Sequence, residues 1–122
     1  MSTKAQAVQA MEQAAFVGDW DKFKSFLSDD VKYRCGNDAE VTGPQAVASF
    51  LITMLTKRLA LNDLQVRAVW ETDDAVISEF NSKGLRIKDN KNVTFPCLDI
   101  YRFRDGKIWD WRVFPIEPTL VH

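Results

Sequence analysis

The chain has 122 residues, 46% of them hydrophobic, enough to bury a core without disulfides or metal, and 1–122 is expected to form a single domain. Its 16 Lys and Arg against 17 Asp and Glu are interspersed and leave a net charge of −1, which argues against nucleic acid and against an anionic membrane as partners. The opening MSTKAQAVQAMEQ has no apolar run of signal-peptide kind, and no stretch approaches the ~20 apolar residues that span a bilayer, so a cytoplasmic location is expected. Cys35 and Cys97 lack metal-ligand spacing and read as reduced thiols, and a single His at position 122 argues against a His-based catalytic or zinc site.

Taken in order, Thr3 to Val17 carries Ala5, Val8, Met11 and Ala15 at helical spacing, with Ser2 or Thr3 as the N-cap. Gly18 ends that helix and Asp19 caps a second, with Trp20, Phe23, Phe26 and Leu27 along one side. After Ser28-Asp29-Asp30, the alternation of Val31, Tyr33 and Cys35 with Lys32, Arg34 and Gly36 predicts a half-buried strand. Gly43-Pro44 then opens a third helix, whose Val47, Phe50, Leu51, Met54, Leu55 and Leu59 recur at helical spacing. Beyond Asn62 the period becomes two. Leu64, Val66, Ala68 and Trp70 alternate, with Trp70 expected in the core, and Thr72-Asp73-Asp74 turns the chain into a strand over Ala75 to Lys83. Gly84 to Lys91 reads as an irregular connection or a strand extended past a second turn. The register of Glu79 and Asn81 stays open. Pro115 and Pro118 end the last strand, and Thr119 to His122 is expected to fray or to pack on a partner.

The densest signal is Asn92 to Pro115, where two runs of β-branched and aromatic residues flank Asp105-Gly106, a strong hairpin dipeptide. Strand alternation puts Phe95, Cys97, Asp99, Tyr101 and Phe103 on one face. Asp99 thus stands alone among apolar and aromatic neighbours, where a carboxyl needs a hydrogen-bonding partner or a raised pKa, a setting common at sites that do chemistry. The same hairpin register predicts Trp109, Trp111 and Val113 on the face of Asp99, as an aromatic wall for a ring-bearing ligand or as plain core. Asp110, Arg112, Arg102 and Arg104 fall on the opposite face as surface or interface residues. Helices early and an antiparallel run late make an α+β pattern, a curved sheet wrapped over helices.

That order of elements, with GDWDKFKSFLSDDVKYR early, VTGPQAVASFL in the middle and DIYRFRDGKIWDW near the end, resembles the NTF2-like (cystatin-like) superfamily, more narrowly its SnoaL-like and ketosteroid-isomerase-like branch. The likeness covers nearly the whole chain and implies a cone: a curved, mostly antiparallel sheet around about three helices, an apolar pocket open at one end, and homodimers formed through the outer sheet face. In ketosteroid isomerases a protonated Asp on the matching strand donates a hydrogen bond to the developing enolate oxygen, and Asp99 occupies that position. The general base of that family falls at Cys35 or Arg34 here, and its first-helix tyrosine falls near Met11. Limonene-epoxide hydrolases are more weakly similar. They match at Tyr33 and depart at Cys35, along Glu79 to Ser82, and near Val113.

The resemblance therefore implies a small, apolar, oxygen-bearing ligand and a cofactor-free and metal-free isomerisation, cyclisation or hydration. Asp99 and Tyr33 are the expected catalytic pair, with Tyr101, Cys35, Met11, Trp109, Trp111 and Val113 lining the ligand. Cys35 is read as inert lining, because no His or basic cluster accompanies it. The alternative is a non-catalytic binding or dimerisation module whose cone is filled by Met11, Phe16, Met54 or the tryptophans and whose Asp99 is structural.

Overall fold

The first helix forms where the sequence supplies both apolar spacing and its own cap. In the computed structural model, which describes residues 3–116, α1 (Lys4–Phe16) begins with a capping box. The Gln6 amide donates to the Thr3 hydroxyl at 3.1 Å, and the Thr3 amide donates to Gln6 Oε1 at 2.8 Å, satisfying two otherwise orphaned donors. Val8, Met11 and Ala14 form its buried stripe. Gly18, at φ 77°, turns the chain, and Asp19 caps α2 (Trp20–Ser25) by accepting from the Lys22 amide. The helix stops before Leu27, short of the predicted span, because Leu27 pairs with Ile108 and opens β1 (Leu27–Cys35).

A two-residue strand that the sequence pattern did not announce, β2 (Val41–Thr42), pairs with Lys32 and Tyr33. Pro44 then starts α3 (Pro44–Lys57) at the position where its missing N–H costs nothing. β3 (Leu59–Glu71) follows at once, earlier than the change of period at Asn62 suggested. β4 (Ala75–Arg86) and β5 (Lys91–Arg104) form an unbroken antiparallel ladder down to Arg86 and Lys91, so the segment from Gly84 to Lys91 is strand extended around a second turn. Asp105 and Gly106, at φ 54° and 77°, make the two-residue turn into β6 (Lys107–Pro115); both sit at the positive φ that matches the twist of the flanking strands. Pro118, the tail Thr119 to His122 and the alternative cap Ser2 lie outside the described residues.

The strands form one curved, unclosed sheet in the order β2-β1-β6-β5-β4-β3, antiparallel throughout except where β6 runs parallel to β1. Placing the last strand between β1 and the meander joins the two halves of the chain. The three helices cover the concave face. Among the described residues no helix is long and apolar enough to cross a membrane.

Two expectations are corrected on the convex face. Trp70 is 51% exposed rather than core, because it stands on the edge strand in the outer row Trp70, Ile77, Ile100, Arg112. Trp109 leaves the inner face. Phe103 pairs with Ile108 and Arg102 with Asp110, which makes Trp109 the extra residue of a β-bulge, set beside the Arg104 guanidinium 5.4 Å from its ring. The open register of β4 is also resolved: Glu79 and Asn81 pair with Leu98 and Pro96 on the outer face, while Ser78, Phe80 and Ser82 turn inward.

Gly84 marks a close approach of β3 to β4. A Cβ there would come 2.6 Å from the Ala60 carbonyl oxygen and 2.9 Å from Leu59 Cδ1. Gly84→Ala is expected to cost about 1–3 kcal/mol through overpacking, read as a lower urea midpoint at unchanged slope. An unchanged midpoint would refute the close approach.

Candidate functional site

Cross-strand rows carry the site. One row runs Tyr33, Trp111, Tyr101, Val76 over β1, β6, β5 and β4; the next runs Cys35, Val113, Asp99, Ser78. All eight side chains share the concave face, and α1, α2 and α3 close over it. The helices do not fill it. A cavity of about 420 Å³ remains between helices and sheet, lined by apolar and aromatic side chains such as Phe16, Met54, Phe80 and Phe95, with Glu12 and Asp99 as its two carboxyls.

Asp99 is 4% exposed and is met by three donors. Trp111 Nε1 donates to Oδ2 at 3.1 Å, the Tyr101 hydroxyl lies 2.9 Å from the same oxygen, and the Cys97 thiol donates to Oδ1 at 3.6 Å. The alternation of β5 brings Cys97 and Tyr101 to Asp99, and the β5–β6 pairing brings Trp111. Burial still outweighs these donors and holds the carboxyl up at about 7, with the Glu12 charge adding to the rise. Such an acid exchanges its proton near neutrality.

Tyr33 is buried, with its ring edge-on to Trp111 at 4.8 Å and its hydroxyl against the Cys35 thiol; burial pushes its own pKa well above the usual phenol value. Burial likewise pushes the Cys35 thiol up to about 12 and raises Cys97 further, so both are held as neutral thiols.

Of the residues singled out from sequence, Asp99, Tyr33, Tyr101, Cys35, Trp111 and Val113 come together on the cavity wall. Met11 does not line it; it is fully buried in the core beneath α1. Trp109 is carried away by the bulge. Glu12 was missed. It projects from α1 into the cavity, its Oε1 lies 2.9 Å from the Tyr101 hydroxyl, and burial raises its pKa. A signal for it existed in the sequence: Glu12 is the one acid of α1 and stands four residues from Val8 and three from Ala15, on the apolar stripe.

The sequence matches the family described as SnoaL-like domain over residues 8–111. A comparison with curated proteins yields no match. Among solved structures, an NTF2-like protein of unknown function from Burkholderia pseudomallei superposes at a TM-score of 0.87 with 16% identity, covering 99% of this chain and 96% of that one. A candidate polyketide cyclase from Xanthomonas campestris pv. campestris gives 0.79 with 23% identity, covering 96% and 93%. An LEH-like epoxide hydrolase from M. tuberculosis gives 0.74 with 21% identity, covering 95% and 84%. At these identities the likeness speaks to fold alone.

Asp99 also fixes how stability responds to pH. Its carboxyl is raised from 3.8 to about 7, so the folded state holds the proton more tightly than the unfolded chain. The stabilisation is fully present below about pH 4 and is lost as pH rises through about 7, a swing on the order of 4 kcal/mol, and Glu12 acts in the same direction. Asp99→Asn is expected to flatten this profile in urea unfolding from about pH 4 to 9. Parallel profiles for wild type and variant would sink the assignment.

Proposed function

The chain belongs to the SnoaL-like family, and from that premise we propose that its cavity binds a small, largely apolar, oxygen-bearing molecule and that Asp99 acts on it as acid/base or hydrogen-bond donor. The observation that carries this reading is the Asp99 carboxyl on the wall of a largely apolar cavity, held by three donors and titrating near neutrality. Among the described residues, no Lys, Arg or His lines the cavity, so an anionic ligand would bury its charge beside two acids. A neutral ligand fits.

The chemistry favoured is isomerisation or cyclisation of a small cyclic carbonyl compound. Ionised Asp99 takes a proton from the carbon beside the carbonyl and returns it elsewhere, while a phenol stabilises the oxygen as negative charge develops there. Tyr33 suits the second task better than Tyr101. Its hydroxyl rests against a thiol, a weak acceptor that a substrate oxygen displaces, whereas the Tyr101 hydroxyl is held between two carboxyls.

A homodimer through the convex face completes the proposal, in a cytoplasm that keeps the two thiols reduced. That face exposes Trp70 at 51% and Phe114 at 48% beside Ile77, Leu98 and Ile100, an apolar surface rimmed by the linked ion pairs of Arg102, Asp110, Arg112 and Glu40. Wild type is expected to sediment as a dimer at micromolar concentration, and Phe114→Glu as a folded monomer. A monomeric wild type would remove the dimer.

Ligand binding is tested by following Trp111 fluorescence in wild type and Asp99→Leu against cyclic enones, phenols, epoxides and steroids. Saturable quenching is expected, weakened roughly tenfold or more in the variant, the ~1.4 kcal/mol of one good hydrogen bond. Turnover of the ligand that binds should fall at least ~100-fold in Asp99→Asn. No binding by any member would favour a non-catalytic module with a structural Asp99.

A further inference from the structure

The Tyr101 hydroxyl lies 2.9 Å from Asp99 Oδ2 and 2.9 Å from Glu12 Oε1, and a phenol has one proton to give. With both carboxyls ionised, one of them would face the lone pairs of the phenol oxygen at hydrogen-bond distance. The arrangement closes when one carboxyl is protonated: that acid donates to the Tyr101 oxygen, and Tyr101 donates to the other. Either carboxyl can hold that proton: Asp99, the more deeply buried of the two, or Glu12, with Asp99 then accepting from Tyr101 as it does from Trp111 and Cys97.

We propose that Glu12, Tyr101 and Asp99 form a relay that holds one proton between two carboxyls, with Glu12 resetting Asp99 after each transfer. The step balances within the chain. The proton on Glu12 Oε1 passes to the Tyr101 oxygen as the Tyr101 proton passes to Asp99 Oδ2, and the reverse shift restores the start. Asp99 is buried at the cavity wall, whereas Glu12 is only partly buried and sits on the helix that covers the cavity. Glu12 is therefore the side from which protons enter or leave. It acts through Asp99 and is a positioning residue for that proton.

The other groups around the pair do not supply this exchange. Tyr33 and Cys35 from β1 and Cys97 from β5 are phenol and thiols held neutral by burial, Ser78 from β4 does not titrate in this range, and Trp111 from β6 only donates. The charged Asp38 and Arg58 pair with each other at 2.7 Å and act on Cys35 rather than on the relay. Among the described residues, no basic side chain lines the cavity to fix either carboxyl in its ionised form.

The relay rests on the pocket reading only for its use in turnover, and ligand-free titration tests the coupling itself, so the two fail separately. Carboxyl ¹³C NMR of the full chain would follow Asp99 and Glu12 across pH in wild type, Glu12→Gln and Asp99→Asn. Coupling predicts that Glu12→Gln lowers the Asp99 midpoint by about half a unit or more, and that Asp99→Asn lowers the Glu12 midpoint likewise, since linkage is reciprocal. Tyr101→Phe, which removes the single phenol proton and the acceptor that bridge the singly ionised pair, should raise the lower of the two midpoints. A shift below about half a unit in both carboxyl variants overturns the proposal, and so do unchanged midpoints in Tyr101→Phe, because two buried carboxyls this close repel each other without any phenol between them. Should one variant fail to fold, the other supplies the same test from the opposite end.

Discussion

A carboxyl on the apolar face of a sheet must find donors or keep its proton, and the centre of this fold is arranged around that demand. Asp99 receives Trp111 from the neighbouring strand and Cys97 and Tyr101 from its own, each two positions away. Those three partners are in turn the packing units of the core: Trp111 stands 4.8 Å from Tyr33, 5.1 Å from Tyr101 and 6.1 Å from Phe23, ring to ring. The polar cluster and the aromatic cluster are one structure. Burial nonetheless wins over hydrogen bonding at Asp99 and raises its pKa to about 7, so that protonated and ionised forms coexist near neutral pH.

The cavity follows from how sheet and helices meet. β6 lies between β1 and β5, so the concave face is continuous from Tyr33 to Val76, wider than three short helices can cover. α1 and α3 bury Val8, Met11, Val47 and Leu51, while Phe16, Met54 and Leu55 stand at the margin and leave the middle open. The lining is apolar apart from the carboxyls, so electrostatic interactions inside it are weakly screened. That explains why a single phenol between Glu12 and Asp99 has consequences that the same contact on the surface would lack.

The β-bulge at Trp109 has two effects. It lets Ile108 pack inward against Phe103 and Leu27, and it returns Asp110 to the convex side, where Arg102 and Arg112 flank it. Without the extra residue, the alternation that carries Trp111 and Val113 inward would place Trp109 there as well.

Much of this was legible in the chain itself. Caps at Thr3 and Asp19, the Gly43-Pro44 start of α3, the Asp105-Gly106 turn and the alternation of β5 are local features, and local features write themselves into adjacent residues. The isolation of Asp99 among Phe95, Cys97, Tyr101 and Phe103 was legible for the same reason, a period of two within one strand. What the sequence did not decide were relations between distant segments. The bulge at Trp109 depends on pairing with β5, the exposure of Trp70 on the position of β3 at the sheet edge, and the two-residue β2 on pairing with β1. Glu12 shows the difference most plainly. Its place on an apolar stripe is a property of the sequence, but its meeting with Tyr101, 89 residues further on, exists only once α1 has packed over the sheet, because hydrogen bonds between remote residues are set by tertiary geometry rather than by any local pattern.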